Sequence, residues 1–184
     1  EQIQKMKPEV LFIATGSTPI IPEIPGVEKA KVVTAIDVLL NKKEAGESVV
    51  VIGGGLIGCE TALYLAQKGK KLTIVEILDS VARDMFEANS MHLVKLLADA
   101  NVEILTETSV AEIMDDSVVI VNKSGKRSKL EADTVVLAVG LKSNRRLEEA
   151  LKDKGPETHV IGDCVEPRKL LDAIWEGFLS ARLT

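Results

Sequence analysis

The 184 residues suffice for one domain with a full core or for two small ones, and 46% hydrophobic with 28% charged residues excludes a disordered chain. A net charge of −5 and only five aromatic residues (Trp 1, Tyr 1, Phe 3) leave neither a basic surface nor stacking platforms, so nucleic acid is not an expected partner. No uncharged run approaches the roughly 20 residues of a spanning helix and no signal peptide opens the chain, so a cytoplasmic protein without a membrane partner is expected.

With so few aromatics, Val, Ile, Leu and Ala must fill the core, as in buried parallel sheets covered by helices. Residues 9–13 predict a strand ending in Ala14-Thr15-Gly16. Pro19, Pro22 and Pro25 follow, a spacing that forbids helix and central strand and predicts an extended connector. Residues 31–40 begin as a strand and turn into a short helix with Thr34 as its cap, and 42–47 are a charged loop. Ser48-Val49-Val50-Val51-Ile52 is a short apolar strand, and residues 56–68 carry apolar positions at helical spacing up to Gly69. A strand over 71–76, a helix over 83–100 with a stripe of Phe86, Leu93, Val94 and Leu97, and a strand over 102–105 come next. Residues 110–132 alternate around Asp115-Asp116 and Ser124-Gly125-Lys126, which predicts a small antiparallel excursion. The chain returns to a strand at 134–139, closed by Gly140, then passes through 142–146 to a short helix near 147–152, a strand at 159–161 and a last helix over 170–183.

This order predicts an α/β, Rossmann-like doubly wound sheet with a small antiparallel insert. The expected division is 1–29, 30–141 and 142–184, the middle segment being inserted into an incomplete second dinucleotide-binding domain. A weak repeat supports it. Pro8–Gly16 aligns without gaps on Ala132–Gly140, 124 positions later, with an acidic residue, an apolar run, Ala and Gly in register. The chain opens at Glu1 and reaches its first strand almost at once, so it reads as a piece of a larger protein.

Ile52 runs into Gly53-Gly54-Gly55-Leu56-Ile57-Gly58, a G-x-G-x-x-G between a predicted strand and a predicted helix. Gly53 allows the sharp turn, Gly55 lets the backbone approach a pyrophosphate, and Gly58 lets helix and strand pack closely. The helix start over Leu56 and Ile57 offers its free N–H groups to the anion. Glu76 lies 18 positions past Gly58 at the end of the next strand, where a carboxylate accepts hydrogen bonds from ribose hydroxyls. It would oppose a 2′-phosphate by about 4 kcal/mol at about 4 Å and an effective dielectric near ~20, so NAD(H) is expected over NADP(H). Arg83 is the nearest cation that could loop back and offset that charge. Glu60, placed in the first helical turn, either faces the cofactor or merely favours the helix dipole. Gly140 closes the corresponding strand of the same site.

The remaining candidates read as structural. Cys59 and Cys164 are far apart with no C-x-x-C, which excludes a redox dithiol and a zinc knuckle. His92 has no metal partner at helical spacing, His159 stands alone at a strand start, and Ser17 lacks a nucleophile-elbow context, so neither a metal site nor a catalytic side chain is expected.

His159-Val160-Ile161-Gly162-Asp163, followed by a helix with Asp172-Ala173-Ile174-Trp175-Glu176-Gly177, is a second nucleotide signal. Together with the A-T-G turn and G-x-G-x-x-G, the ordered set resembles the two-dinucleotide-fold flavoproteins of the pyridine nucleotide–disulfide oxidoreductase class, over nearly the whole chain. The resemblance implies that Asp163, with Gly162, meets the ribityl chain of FAD and that Ala14, Thr15 and Gly16 lie beside the same flavin. The closing stretch from Glu166-Pro167-Arg168-Lys169 to Ala181-Arg182 is similar to the end of the 2,4-dienoyl-CoA reductase, 2-enoate reductase and trimethylamine dehydrogenase family. That similarity implies a parent with a barrel, FMN and an iron–sulfur cluster outside this chain, reducing an unsaturated substrate with electrons from NADH. The first FAD-binding G-x-G-x-x-G, the cluster cysteines and the barrel are not in this sequence. The chain alone is therefore expected to bind flavin poorly and not to work as an enzyme by itself. The alternatives are part of a stand-alone FAD-dependent NADH oxidase or disulfide reductase, or a non-catalytic NAD-sensing module. The Gly-Asp strand and A-T-G turn count against the second.

Overall fold

The computed structural model describes residues 2–152 and 156–184. In chain order the elements are α1 (Gln2–Met6), β1 (Val10–Ile13), β2 (Ser17–Pro19), β3 (Val32–Thr34), α2 (Ala35–Leu39), β4 (Ser48–Ile52), α3 (Leu56–Gln67) and β5 (Lys71–Val75). There follow α4 (Glu87–Asp99), β6 (Glu103–Leu105), β7 (Thr108–Ile113), β8 (Ser117–Asn122), β9 (Arg127–Glu131), β10 (Thr134–Leu137), β11 (Leu141–Ser143), α5 (Arg146–Leu151), β12 (Glu157–Val160) and α6 (Leu170–Leu183).

Two compact units emerge, one of residues 19–140 and one of residues 1–18 with 141–184. In the larger unit five parallel strands run in the order β3-β10-β4-β5-β6. Their side chains alternate between two cores, as strand geometry requires. Val49 and Val51 of β4, with Leu72, Ile74 and Val136, face α2, α3 and α4 through Val38, Cys59, Ala62, Leu65, Leu93 and Leu97. Val50 and Ile52, with Val75, Val135 and Leu137, face Ile113, Val118 and Ile120 of the antiparallel sheet β7-β8-β9. The α/β class therefore stands, with the insert rather than helices covering the second face. Burying each of these Val or Ile side chains favours the fold by about 1.5–3 kcal/mol. That explains why the strands read as unbroken apolar runs.

Three expectations are adjusted. The proline-rich stretch from residue 19 onward packs with the sheet unit instead of ending a separate segment near 29, because Ile24 and Val27 join the second core and Pro25 O accepts from Ile113 N at 2.8 Å. Helix α4 starts at Glu87 and not at 83, so Phe86 is its cap residue, 81% exposed, and only Leu93 and Leu97 of the expected stripe are buried. Helix α1, five residues long, precedes the first expected strand, and the sequence pattern does not announce it.

In the smaller unit β1 pairs in parallel with β12, and β2 pairs with β11. A short 3-10 turn, Gly162–Cys164, follows β12 and leads towards α6. Among the described residues no helix is long and apolar enough to cross a membrane.

Candidate functional site

In the larger unit, the crossover through α3 leads from β4 to β5 on one side, whereas β10 lies on the other side of β4. The order of the strands reverses between β4 and β10, and in open α/β sheets the crevice beyond the strand ends at that point is where ligands bind. Both G-x-G-x-x-G and Gly140 sit there. Gly53 takes φ +104°, left-handed territory that favours glycine, and its N–H donates to Val75 O at 2.9 Å. A Cβ on Gly58 would stand 2.0 Å from Gly53 O, so only glycine lets α3 lie this close to the strand end. At Gly55 the opposite holds: a Cβ would meet nothing within 4 Å. That residue caps α3, no side chain caps the helix in its place, and the first-turn amides of Leu56 and Ile57 point out of the helix end.

A cavity of about 570 Å³ opens beside this turn. Gly53, Gly55, Leu56, Ile57, Glu76, Ala138, Val139 and Gly140 line it. Ile24, Ile77, Leu78, Asp84 and the stretch Thr108–Val110 extend it beyond what the motif indicates. Gly54 and Gly58 are buried behind the lining. Glu60 departs from expectation: it is the fifth residue of α3, one turn in from the end, exposed, and outside the cavity lining. The helix begins at Leu56, which moves Glu60 out of the dipole's reach in the first turn.

Glu76 is the buried acid of the site, 7% exposed. Its Oε2 accepts from Gly54 N at 2.5 Å and its Oε1 from Leu78 N at 2.8 Å, so the carboxylate ties the glycine turn to the end of β5. The same turn is held from its carbonyl side, where Gly54 O accepts from Ala82 N at 2.7 Å and from Cys59 Sγ at 3.3 Å. Burial pushes the Cys59 thiol up from 9.0 to about 11, the nearby Asp84, Glu76 and Glu60 carboxylates adding to it against an opposing hydrogen bond from the Ala82 backbone. The thiol therefore stays a donor. Val81 and Ala82, which sequence reading passed over, are buried against this turn, and Ala82 takes a left-handed φ of +53° that no residue type announces. Among the described residues no lysine or arginine lines the cavity. Arg83 turns to Asp79, Nη1 to Oδ1 at 3.2 Å, and Lys123 pairs with Glu107.

In the smaller unit, parallel pairing of β1 with β12 sets the Ala14–Gly16 turn beside Gly162-Asp163. Ala14 and Thr15 are exposed and Gly16 half-buried. Thr15 Oγ1 donates to Asn144 O at 2.7 Å, and Asn144 N donates to Gly16 O at 2.9 Å. Ser17 Oγ donates to Asp163 Oδ2 at 3.1 Å, which joins the two turns directly. Cys164 is buried, its Sγ near Ile13 O at 3.2 Å and Ile161 O at 2.9 Å, in keeping with a structural thiol. Ser17, Asn144, Arg168 and Glu176 take part in this arrangement, roles that the sequence motifs around them do not assign. Among the described residues no group of three or more His, Cys, Asp and Glu could hold a metal ion.

Comparison with known proteins agrees with this geometry. The family model described as pyridine nucleotide-disulphide oxidoreductase matches residues 2–165. The chain is 42% identical over 183 residues to an NADH oxidase of Thermoanaerobacter brockii, covering 97% of this chain and 28% of that protein. It is 34% identical over 185 residues to a cinnamate reductase of Clostridium sporogenes, covering 99% of this chain and 27% of that protein. A solved 2-naphthoyl-CoA reductase in complex with 2-naphthoyl-CoA superposes with a TM-score of 0.92 at 38% identity, covering 96% of this chain and 27% of that one. The chain thus spans less than a third of the length of these relatives.

Proposed function

The chain belongs to the pyridine nucleotide-disulphide oxidoreductase family, and on that premise we propose that it is the NADH-accepting part of a longer flavin-dependent oxidoreductase. In this reading residues 19–140 bind NADH and the smaller unit contributes to an FAD site. The substrate of the longer protein is an unsaturated enoate or enoyl compound, a class favoured by the similarity to a cinnamate reductase and a 2-naphthoyl-CoA reductase. FMN, an iron–sulfur cluster and the substrate pocket belong, on the same resemblance, to other parts of that protein.

The observation that carries the reading is the open face of Gly55 at the uncapped start of α3, beside a cavity at the reversal of strand order. The residues fit a pyrophosphate: the space a Gly55 Cβ would take is open, so a ligand can come close to the backbone there, and the helix N-terminus favours an anion. Glu76 borders this cavity, and the lone pairs its carboxylate has left can accept from the adenosine ribose hydroxyls. Ile24, Leu78 and Val110 supply apolar walls for a flat ring. With Glu76 and Asp84 among its walls and no cation there among the described residues, a 2′-phosphate is disfavoured, so NADH is preferred to NADPH. In the smaller unit Asp163, Gly162 and the Ala14–Gly16 turn offer a carboxylate and backbone groups to the hydroxyls of a ribityl chain. Nicotinamide and flavin supply the redox chemistry themselves when bound, so the chain's own task is to hold and orient them.

Calorimetric titration of the chain with NADH and separately with NADPH tests the proposal. Tighter binding of NADH supports it; tighter binding of NADPH, or no binding of either, overturns it.

A further inference from the structure

In the smaller unit a charged side chain from the middle of α6 reaches back to the Gly162-Asp163 turn. Glu176 Oε2 accepts from Gly162 N at 2.6 Å, and its Oε1 pairs with the Arg168 guanidinium. Arg168 in turn directs its backbone N–H at Asp163 Oδ1, 3.4 Å away, while Ser17 Oγ holds the other oxygen. Cys164 Sγ on Ile13 O and Ile161 O, and Val165 N on Gly162 O at 2.9 Å, also hold the turn, but the Gly162 amide goes to Glu176. Gly162 has no side chain, takes φ +71°, and a Cβ there would only just reach Ala173 Cβ at 4.0 Å.

We infer that Glu176 is a positioning residue for the flavin site: by holding the Gly162 amide and Arg168 together it sets where the Asp163 carboxylate stands. The inference rests on the proposal that Asp163 receives the ribityl chain. The plane of the Ile161–Gly162 peptide decides the course of the next residue, and Glu176 holds that plane from its N–H while Cys164 Sγ holds it from its carbonyl. An ionised acceptor does this more firmly than a neutral one. Arg168 and the Gly162 amide hold the Glu176 carboxyl below the usual carboxylate range, so it is ionised throughout the neutral region. The other charged groups of the cluster are Glu166 and Asp163 on the loop and Asp172 on α6 itself. A role confined to anchoring α6 would make the same contacts but leave flavin affinity alone.

Two readouts on the whole chain test this: the Gly162 amide resonance followed against pH, and FAD affinity from quenching of flavin fluorescence. In the unaltered chain the Gly162 amide shifts in one step as Glu176 is protonated, below the ordinary carboxylate range. The step vanishes in Glu176→Gln and Glu176→Ala and moves up in Arg168→Met. FAD affinity falls about tenfold in Glu176→Ala but stays within about threefold in Glu176→Gln, which keeps an acceptor for Gly162. A Gly162 amide that ignores Glu176, or a Glu176→Ala chain that binds FAD as well as the unaltered one while Asp163→Asn does not, overturns the inference. Undiminished binding in Asp163→Asn overturns the flavin proposal instead; where the chain alone holds FAD too weakly to rank the variants, as the missing glycine-rich FAD turn leads one to expect, the Gly162 titration decides whether Glu176 holds the turn.

Discussion

Gly55→Ala separates what the glycine turn does for the fold from what it does for a ligand. Gly55 has φ −68° and ψ −177°, an extended conformation open to alanine, and the new methyl meets nothing within 4 Å. Restricting the unfolded chain favours alanine by about 0.4–1 kcal/mol. The poorer helix cap opposes it by about 0.5–1 kcal/mol. The two nearly cancel, so stability in urea should change by less than about 1 kcal/mol. Binding should respond quite differently, because the methyl occupies the space through which a pyrophosphate approaches the Leu56 and Ile57 amides. Losing one hydrogen bond to a charged group costs about 1.5–3 kcal/mol, which weakens NADH about ten- to a hundredfold in a calorimetric titration. Gly58→Ala is the contrasting case. Its Cβ would lie 2.0 Å from the backbone oxygen of Gly53, which cannot swing aside, so stability should fall by about 3 kcal/mol whether or not ligand is present. NADH binding by Gly55→Ala equal to that of the unaltered chain would refute the reasoning, as would a loss of stability matching that of Gly58→Ala.

Glu76→Ala should lower stability in urea by about 2–4 kcal/mol, because it strips the acceptor from two backbone N–H groups, those of Gly54 and Leu78. For that reason its loss of NADH affinity alone is not diagnostic; the ratio of NADH to NADPH affinity in Glu76→Gln is, and it should move towards NADPH. Cys59 should resist alkylation at pH 8 until the chain is unfolded, since its thiol is fully buried and pushed up to about 11. The folded thiol holds its proton more tightly than the unfolded one. The resulting contribution is therefore whole below about pH 9 and is lost as pH rises through about 11, amounting to about 3 kcal/mol. Urea titrations at several pH values should show this decline in the unaltered chain and a correspondingly narrowing gap to Cys59→Ala.

The strands of the sheet were legible because burial on both faces leaves one kind of side chain: Val49–Ile52 and Thr134–Leu137 carry no charge, and every residue from Val49 to Ile52 is under a tenth exposed. The glycine turn was legible because its conformation admits few substitutes. What escaped depends on contacts distant in sequence. Ala82 adopts a left-handed conformation in which its N–H reaches Gly54 O, 28 residues earlier. The start of α4 is set by the loop between Val81 and Phe86, whose buried members pack under the turn; helical spacing in the sequence gives no notice of that. The prolines of residues 19–25 did forbid helix and central strand, yet they also concealed Ile24 and Val27, whose burial ties the stretch to the sheet unit.

Glu76 shows most clearly how a residue can be found by its spacing while a second part of its work goes unannounced. Its place at the end of β5 marks it as a partner for ribose, but the structure gives both of its oxygens to backbone donors of the protein. These demands are compatible, because each carboxylate oxygen has two lone pairs and the residue also borders the cavity. They are compatible only while the side chain is an ionised acceptor, however. A change that invites a 2′-phosphate by removing the charge also loosens Gly54, and with it the turn on which the pyrophosphate must rest. Cations placed to welcome a 2′-phosphate must therefore come from the exposed loop beyond, where Asp79 now engages Arg83, rather than from position 76 itself. Altering Asp79 leaves the Glu76–Gly54 bond untouched, so coenzyme preference can be varied there without weakening the turn, which position 76 does not allow.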